Sequence, residues 1–316
     1  MWLAGQQAIL RTFFLKMSNP ILGTSPLAGS AHAEEEWTLV VRAQGGSVWE
    51  WRLQLADVWR YRDLLWMFVR RDFVSIYKQT LLGPLWFFIQ PLLTTATLAV
   101  IFGGLAKVPT GGLPPMLFYL AGTTPWNCFA LSLTKTSLSF LGNQHLFSKI
   151  YFPRLITPVS LVISSLIQFG VQFLLFMAFL VVYLARGFAL HPNWWLIMCL
   201  MPLLMLLMGV LGLAWGMIIS TLLLIYADLA CMVSFLVQLA MFATPVIYSL
   251  ASVPEHYRWW FELNPMAAII ETFRAIFLGG HVAWLQLGLA TTMTLILGIL
   301  GLALFNRVER NYVETL

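Results

Sequence analysis

Six apolar stretches punctuate the chain, near residues 85–105, 115–134, 155–185, 194–224, 229–250 and 282–306, and none contains Asp, Glu, Lys or Arg. Each approaches or exceeds the roughly 20 apolar residues that cross a hydrocarbon core. The pattern therefore predicts an all-α membrane protein with six transmembrane helices. Pro91, Pro125, Pro158, Pro202 and Pro245 fall inside these stretches, where neighbouring helices can re-satisfy the carbonyl a proline frees.

Before the first stretch the periodicity changes. At 100° per residue, Arg60, Asp63, Arg70, Arg71 and Lys78 share one arc, while Val58, Tyr61, Leu65, Trp66, Val69, Phe73 and Ile76 occupy the other side. That is an amphipathic helix, with Arg62 and Asp72 as the exceptions on its apolar side. It is expected to lie in the membrane interface, apolar face in lipid and basic face toward headgroups or a partner. Gly83-Pro84 ends it and turns the chain into the first span.

The pattern divides the chain into a variable tail (1–36), a cytoplasmic lead-in (37–56), the interface helix (57–82) and the six-span domain (83–316). An outer hairpin lies near 251–281. The Ala31–Ala33 stretch resembles a cleavage site, but Arg11 and Lys16 interrupt the apolar run before it, so no cleaved signal is expected.

Composition agrees with the pattern. Of 316 residues 60% are hydrophobic and 10% are charged, against about 25% charged in a soluble domain. The distribution of charge decides orientation. With a cytoplasmic N-terminus, fourteen of the 18 Lys and Arg residues lie inside, so both termini are expected in the cytoplasm. Cys128, Cys199 and Cys231 sit in apolar runs with no metal or redox spacing and are expected to be buried free thiols.

Two connections stand out. In the outer hairpin, Asn264 and Pro265 form a helix start and Gly279-Gly280 a stop, with Glu271 and Arg274 spaced for an ion pair. The roughly 14 residues between are too few to span and suit a re-entrant or interfacial helix. A second short helix precedes it, with Trp259 and Trp260 at headgroup depth. Between spans two and three, Lys149 and Arg154 flank Tyr151-Phe152 on the cytoplasmic side, a combination frequent at protein contacts and at membrane surfaces alike.

Familiar catalytic chemistry is missing from the sequence. No lysine follows a glycine, so there is no phosphate-binding P-loop. The five histidines are scattered without a second ligand at metal spacing. No span holds a carboxylate, which disfavours an ion-coupled carrier. The spans instead carry mild polarity among aromatics. Trp86, Phe87, Gln90, Thr94 and Thr97 gather in span one; Ser234, Gln238 and Phe242 recur at helical spacing in span five. Such groups serve either as interhelical glue or as the lining of a path for a polar, uncharged solute such as a sugar.

The stretches YRDLLWMFVRRD (61–72), YKQTLLGPLWFFIQP (77–91), FSKIYFPR (147–154), TPVIY (244–248) and NPMAAIIETFRAIFLG (264–279), in that order on a six-span plan, resemble a known family. They are similar to the membrane subunits of ABC-2-type exporters of polysaccharides and polyol phosphates, the permeases for O-antigen, capsule and teichoic acid. The resemblance implies a homodimer in the bacterial inner membrane with two copies of a separate ABC ATPase, lipid-linked polysaccharide as substrate, and no enzymatic activity of this chain alone. It implies no cofactor on this chain, with ATP and Mg on the partner, contact with membrane lipids and no nucleic acid. It assigns ATPase coupling to Arg70, Arg71, Lys149, Tyr151, Phe152 and Arg154. Spans one and five would line a channel, and Trp259, Trp260, Asn264, Pro265, Glu271 and Arg274 would form its outer gate. An exporter of drugs or small lipids, or a membrane scaffold that recruits cytoplasmic proteins, are the alternatives.

Overall fold

The computed structural model describes residues 58–77, 83–139, 141–142, 153–226 and 228–313. The tail, the lead-in, and Lys78, Lys149, Tyr151 and Phe152 lie outside the described residues. Every described element is helical. In chain order these are α1 (Arg62–Tyr77), a short 3-10 turn (Gly83–Leu85), and α2 (Trp86–Leu98) continued by a π-helical segment (Ala99–Leu105). They are followed by α3 (Pro115–Ser137), α4 (Ile156–Ala185), α5 (Trp194–Ile225), α6 (Leu229–Phe242), α7 (Glu255–Glu262), α8 (Pro265–Leu278) and α9 (Trp284–Val313).

Among the described residues, four helices are long and apolar enough to cross a membrane: Trp86–Leu105, Ile156–Ala185, Trp194–Ile225 and Trp284–Arg307. At 1.5 Å per residue, α4 and α5 reach about 45 Å and extend beyond a hydrocarbon core of about 30 Å. Helix α3 has 23 residues, enough length, but Thr123, Thr124, Ser132, Thr134 and Thr136 dilute its hydropathy. Those hydroxyls have a structural reason. Helix α3 is the hub of the bundle, packing on α2, α4, α5, α6 and α8, and small polar residues let helices approach closely.

Its tightest seam is with α5. A Cβ on Gly212 would lie 2.6 Å from the Ser132 Cβ, and one on Gly216 would come closer still to the Thr136 Cβ. Only glycine fits at that separation. On the other side of α5, Gly301 of α9 meets the Ala214 carbonyl at a distance that leaves 2.9 Å for a Cβ.

The fifth apolar stretch differs from expectation. Helix α6 stops at Phe242 after 14 residues, and the chain continues in turns that are buried from Thr244 to Ile247. The reason is Pro245, which has no N–H for the carbonyl of Met241 four residues back. The Thr244 N–H bonds that carbonyl instead, at 3.4 Å, in a tightened last turn.

Helix α1 is amphipathic as expected, but its buried face meets protein. Phe68 packs on Ile156 at the start of α4, with Val58, Tyr61, Leu64 and Leu65 around them. Val69 is 2% exposed whereas Trp66 is 61% exposed, so the apolar arc splits between the bundle and the surface. Cys128 is buried, but Cys199 and Cys231 are exposed. The expected burial of those two is corrected, because Cys199 lies on an exposed face of α5 and Cys231 on α6, whose only buried residue is Val233.

Candidate functional site

Helices α2 and α6 both border α3, and both leave most of their circumference uncovered. In α2 only Pro91 and Thr95 are buried; in α6 only Val233 is. Thr95 ties α2 inward, its hydroxyl 3.3 Å from that of Thr123. The opposite face presents Trp86, Gln90, Thr94 and Thr97, all exposed, with Phe87 partly covered. Phe87 stacks on Phe73 of α1 at 6.2 Å, joining α1 to the base of α2. On α6, Ser234, Gln238 and Phe242 stand one turn apart and are likewise exposed. Trp86, Gln90, Thr94, Thr97, Ser234, Gln238 and Phe242 are all exposed and not packed between helices of this chain, whereas Phe87 lies between α1 and α2. Thr97 is satisfied locally, its hydroxyl donating to the Leu93 carbonyl at 2.8 Å.

Beyond the end of α6 the turns at 243–249 and helix α8 form one hydrogen-bonded unit around Arg274. Helix α8 begins as the sequence indicates, with the Asn264 side chain accepting from the Met266 N–H at 3.0 Å and Pro265 at the first helical position. It ends at Gly279 with φ of 90°, the left-handed conformation glycine favours. Twelve of its 14 residues are buried, so it inserts among α3, α5 and α9 and does not lie flat on a surface. Phe273 and Phe277 complete that burial against Phe176 of α4, with ring centroids at 5.2 and 5.1 Å.

Arg274 lies within this apolar packing. Its guanidinium donates to the carbonyls of Pro245 (2.7 Å), Val246 (2.6 Å) and Tyr248 (3.3 Å), and to Glu271 Oε1 at 3.2 Å. It also sits 3.9 Å above the Phe118 ring of α3. Non-helical backbone at membrane depth must find internal partners, and Arg274 supplies them for the turns after α6. Asn264 Nδ2 donates to Thr244 Oγ1 at 3.0 Å, fastening the start of α8 to the same turns. Gly122 of α3 makes the room: a Cβ there would lie 2.5 Å from the Val246 carbonyl oxygen and 2.6 Å from Arg274 Nη2.

Of the residues assigned to an outer gate, Asn264, Pro265, Glu271 and Arg274 come together in this unit. Trp259 and Trp260 stand apart on α7, their rings 4.3 Å from one another and both exposed. Gly122 and Phe118 belong to the unit and escape sequence reasoning, whereas Thr244 lies in the TPVIY stretch on which the resemblance rests. Only the T-P step at Thr244-Pro245 offers a signal.

At the opposite end of the bundle, Arg70 and Arg71 are exposed on α1. Arg71 is partly engaged, bonding Asp72 Oδ1 through Nε and Nη2 at 3.0 and 2.9 Å and lying over the Phe68 ring at 4.8 Å. Arg154 is half-buried just before α4.

Comparison with known proteins agrees with this architecture. The chain is 31% identical to O-antigen export system permease protein RfbA of Klebsiella pneumoniae, over 80% of its own length and 95% of that protein. It is 27% identical to a Myxococcus xanthus protein of the same name, over 70% of this chain and 82% of the relative. Polysialic acid transport protein KpsM of Escherichia coli is 25% identical over 76% and 91% of the two lengths. The pattern described as ABC-2 type transporter matches residues 63–278, from the first turn of α1 to the last residue of α8. The match over residues 63–278 and the 31% identity across most of both lengths show that this chain belongs to the ABC-2 type transporter family.

Proposed function

We propose that this chain is the membrane subunit of an ABC exporter that moves lipid-linked polysaccharide across the bacterial inner membrane. The observation that carries the reading is the pair of uncovered helices. Two helices flanking one hub expose amides, hydroxyls and aromatic rings on faces the chain itself does not fill. Amides bond sugar hydroxyls, and rings stack on the apolar faces of pyranoses. A second copy of the chain would close these faces into a path lined from both sides, which gives the homodimer.

On this reading α3 and α6 are the second and fifth spans, giving six in all, and the excess of Lys and Arg places both termini in the cytoplasm. The sequence has no phosphate-binding loop, so two copies of a separate ATPase bind and hydrolyse MgATP. Their movement enters through the cytoplasmic side: Arg70 and Arg71 on α1, and Lys149, Tyr151, Phe152 and Arg154 on the connection before α4. Trp259 and Trp260 on α7 and the Arg274 unit close the outer end. Phe87, at the foot of α2, receives the motion of α1 through Phe73.

Affinity purification of the tagged chain from native membranes, followed by mass spectrometry, tests the partner. A stoichiometric ATPase with a phosphate loop is the expected result. In cells lacking the chain, lipid-linked polysaccharide should accumulate inside and disappear from the surface. Unchanged surface polysaccharide in such cells sinks the substrate assignment.

A further inference from the structure

Helix α2 does not keep α-helical winding to the end of its span. Residues Ala99–Leu105 form a π-helix, and the Ala106 N–H closes it on the Ile101 carbonyl five residues back, at 2.8 Å. An α-helix bonds four residues back, so a π turn holds one residue more than an α turn. Seven residues are a long run of a form that is rare and often found at functional sites. The segment contains no proline to impose the change, and Gly103 and Gly104 weaken its preference for the α form.

The two sides of the segment are held unequally. Phe102 packs on the main hydrophobic core. Gly103 lies against Pro115 at the start of α3, where a Cβ would come within 2.9 Å of the proline ring. On the other side, α2 buries only Pro91 and Thr95. The ring of Tyr119 also borders Gly103, and its buried hydroxyl has no hydrogen-bond partner. A buried hydroxyl in that state costs stability, so the present winding leaves a bond unmade beside the segment.

We propose that this segment is a register switch: rewinding one π turn as α releases its extra residue and turns the rest of α2 about its axis. With Phe102 and Gly103 held, a shift of one residue rotates α2 by about 100° and slides it by about 1.5 Å. Each place on the uncovered face then passes to the next residue along the chain. Gln90 and Thr97 give way to Pro91 and Leu98, so the face loses its amide and one of its hydroxyls. Thr95 leaves Thr123 for that face. The carbonyls of the rewound turn come round past Tyr119 and offer its hydroxyl a partner. On the exporter reading, on which the inference rests, the path alternates between a surface that binds sugar hydroxyls and one that releases them.

The test uses the complex reconstituted with its ATPase and a chain lacking Val100, an exposed residue of the segment. The deletion removes the extra residue, so the segment winds as α with the polar face still uncovered and no second register to enter. It should assemble, melt no lower than wild type and hydrolyse ATP, yet export polysaccharide about tenfold more slowly. In the wild-type complex, amide hydrogens of residues 99–106 should exchange about tenfold faster during ATP hydrolysis than at rest. The deletion should abolish that acceleration. Tyr119→Phe removes the hydroxyl that the second register satisfies; it should melt no lower than wild type and slow export about fivefold. Normal export by the deletion variant overturns the switch, as does exchange in the wild type that ATP hydrolysis leaves unchanged. A deletion variant that does not assemble shows that the segment cannot wind as α, and overturns it too. A wild-type complex that hydrolyses ATP but exports no polysaccharide overturns the substrate assignment alone, because exchange still reads the switch.

Discussion

Replacing Arg274 by methionine tests whether the outer unit is held as described. Methionine fills much of the same apolar volume but donates nothing. The two short bonds, to Pro245 at 2.7 Å and Val246 at 2.6 Å, are charge-assisted, and bonds of that kind contribute about 1.5–3 kcal/mol each. The contact with Phe118, out of water, adds about 2 kcal/mol. Against this, the variant no longer buries a charge, which recovers part of the loss, and Glu271 keeps some access to solvent. The net destabilisation should be about 4 kcal/mol, within the range for breaking a buried charged pair. For a domain of this size that lowers the melting temperature by about 8–16 °C, measurable on the detergent-solubilised chain by thermal unfolding. Arg274→Lys keeps the charge but loses the planar fork, and about half the effect should remain. Gly122→Ala should reproduce much of the loss without touching the arginine, because its Cβ has no space beside the Val246 carbonyl. If Arg274→Met melts within about 2 °C of wild type, the guanidinium does not hold the turns and the reasoning fails.

Other substitutions probe separate parts of the fold. Gly216→Val places side-chain atoms where Thr136 already sits, so it should part α3 from α5 and nearly abolish folded protein, read as the monodisperse fraction after detergent extraction. Asn264→Ala removes a helix cap together with the bond to Thr244 and should cost about 1–2 kcal/mol, seen as a modest fall in melting temperature. Gln90→Ala and Gln238→Ala alter exposed positions and should change stability by less than about 0.5 kcal/mol. Both should slow polysaccharide export in the reconstituted complex; full export by the double variant would remove those faces from the path.

Much of the outer unit is legible in the amino-acid sequence. Asn264, Pro265 and Gly279 mark the ends of α8 through local chemistry, and the i, i+3 spacing of Glu271 and Arg274 gives their ion pair, found at 3.2 Å. What Arg274 chiefly holds is not legible there. Its partners are backbone carbonyls from a segment more than twenty residues away, and backbone atoms leave no mark on residue type. The early end of α6 is hidden for a related reason. Thr244-Pro245 announces a break, but an apolar run reads as continuous whether or not its hydrogen bonding is. Periodicity identifies the apolar arc of α1 but not what covers it. Lipid and the side of Ile156 attract the same residues, and only tertiary structure tells them apart.

The brevity of α6 has a consequence for the work of transport. Its 14 residues rise about 21 Å, against about 30 Å of hydrocarbon. On the exporter reading, the dry stretch beside this helix is about a third shorter than the bilayer is thick. A sugar chain in transit would then have fewer of its units stripped of water at any moment. The barrier to sliding would be set by this constriction and no longer by the thickness of the membrane, so polymers of very different length could meet the same resistance.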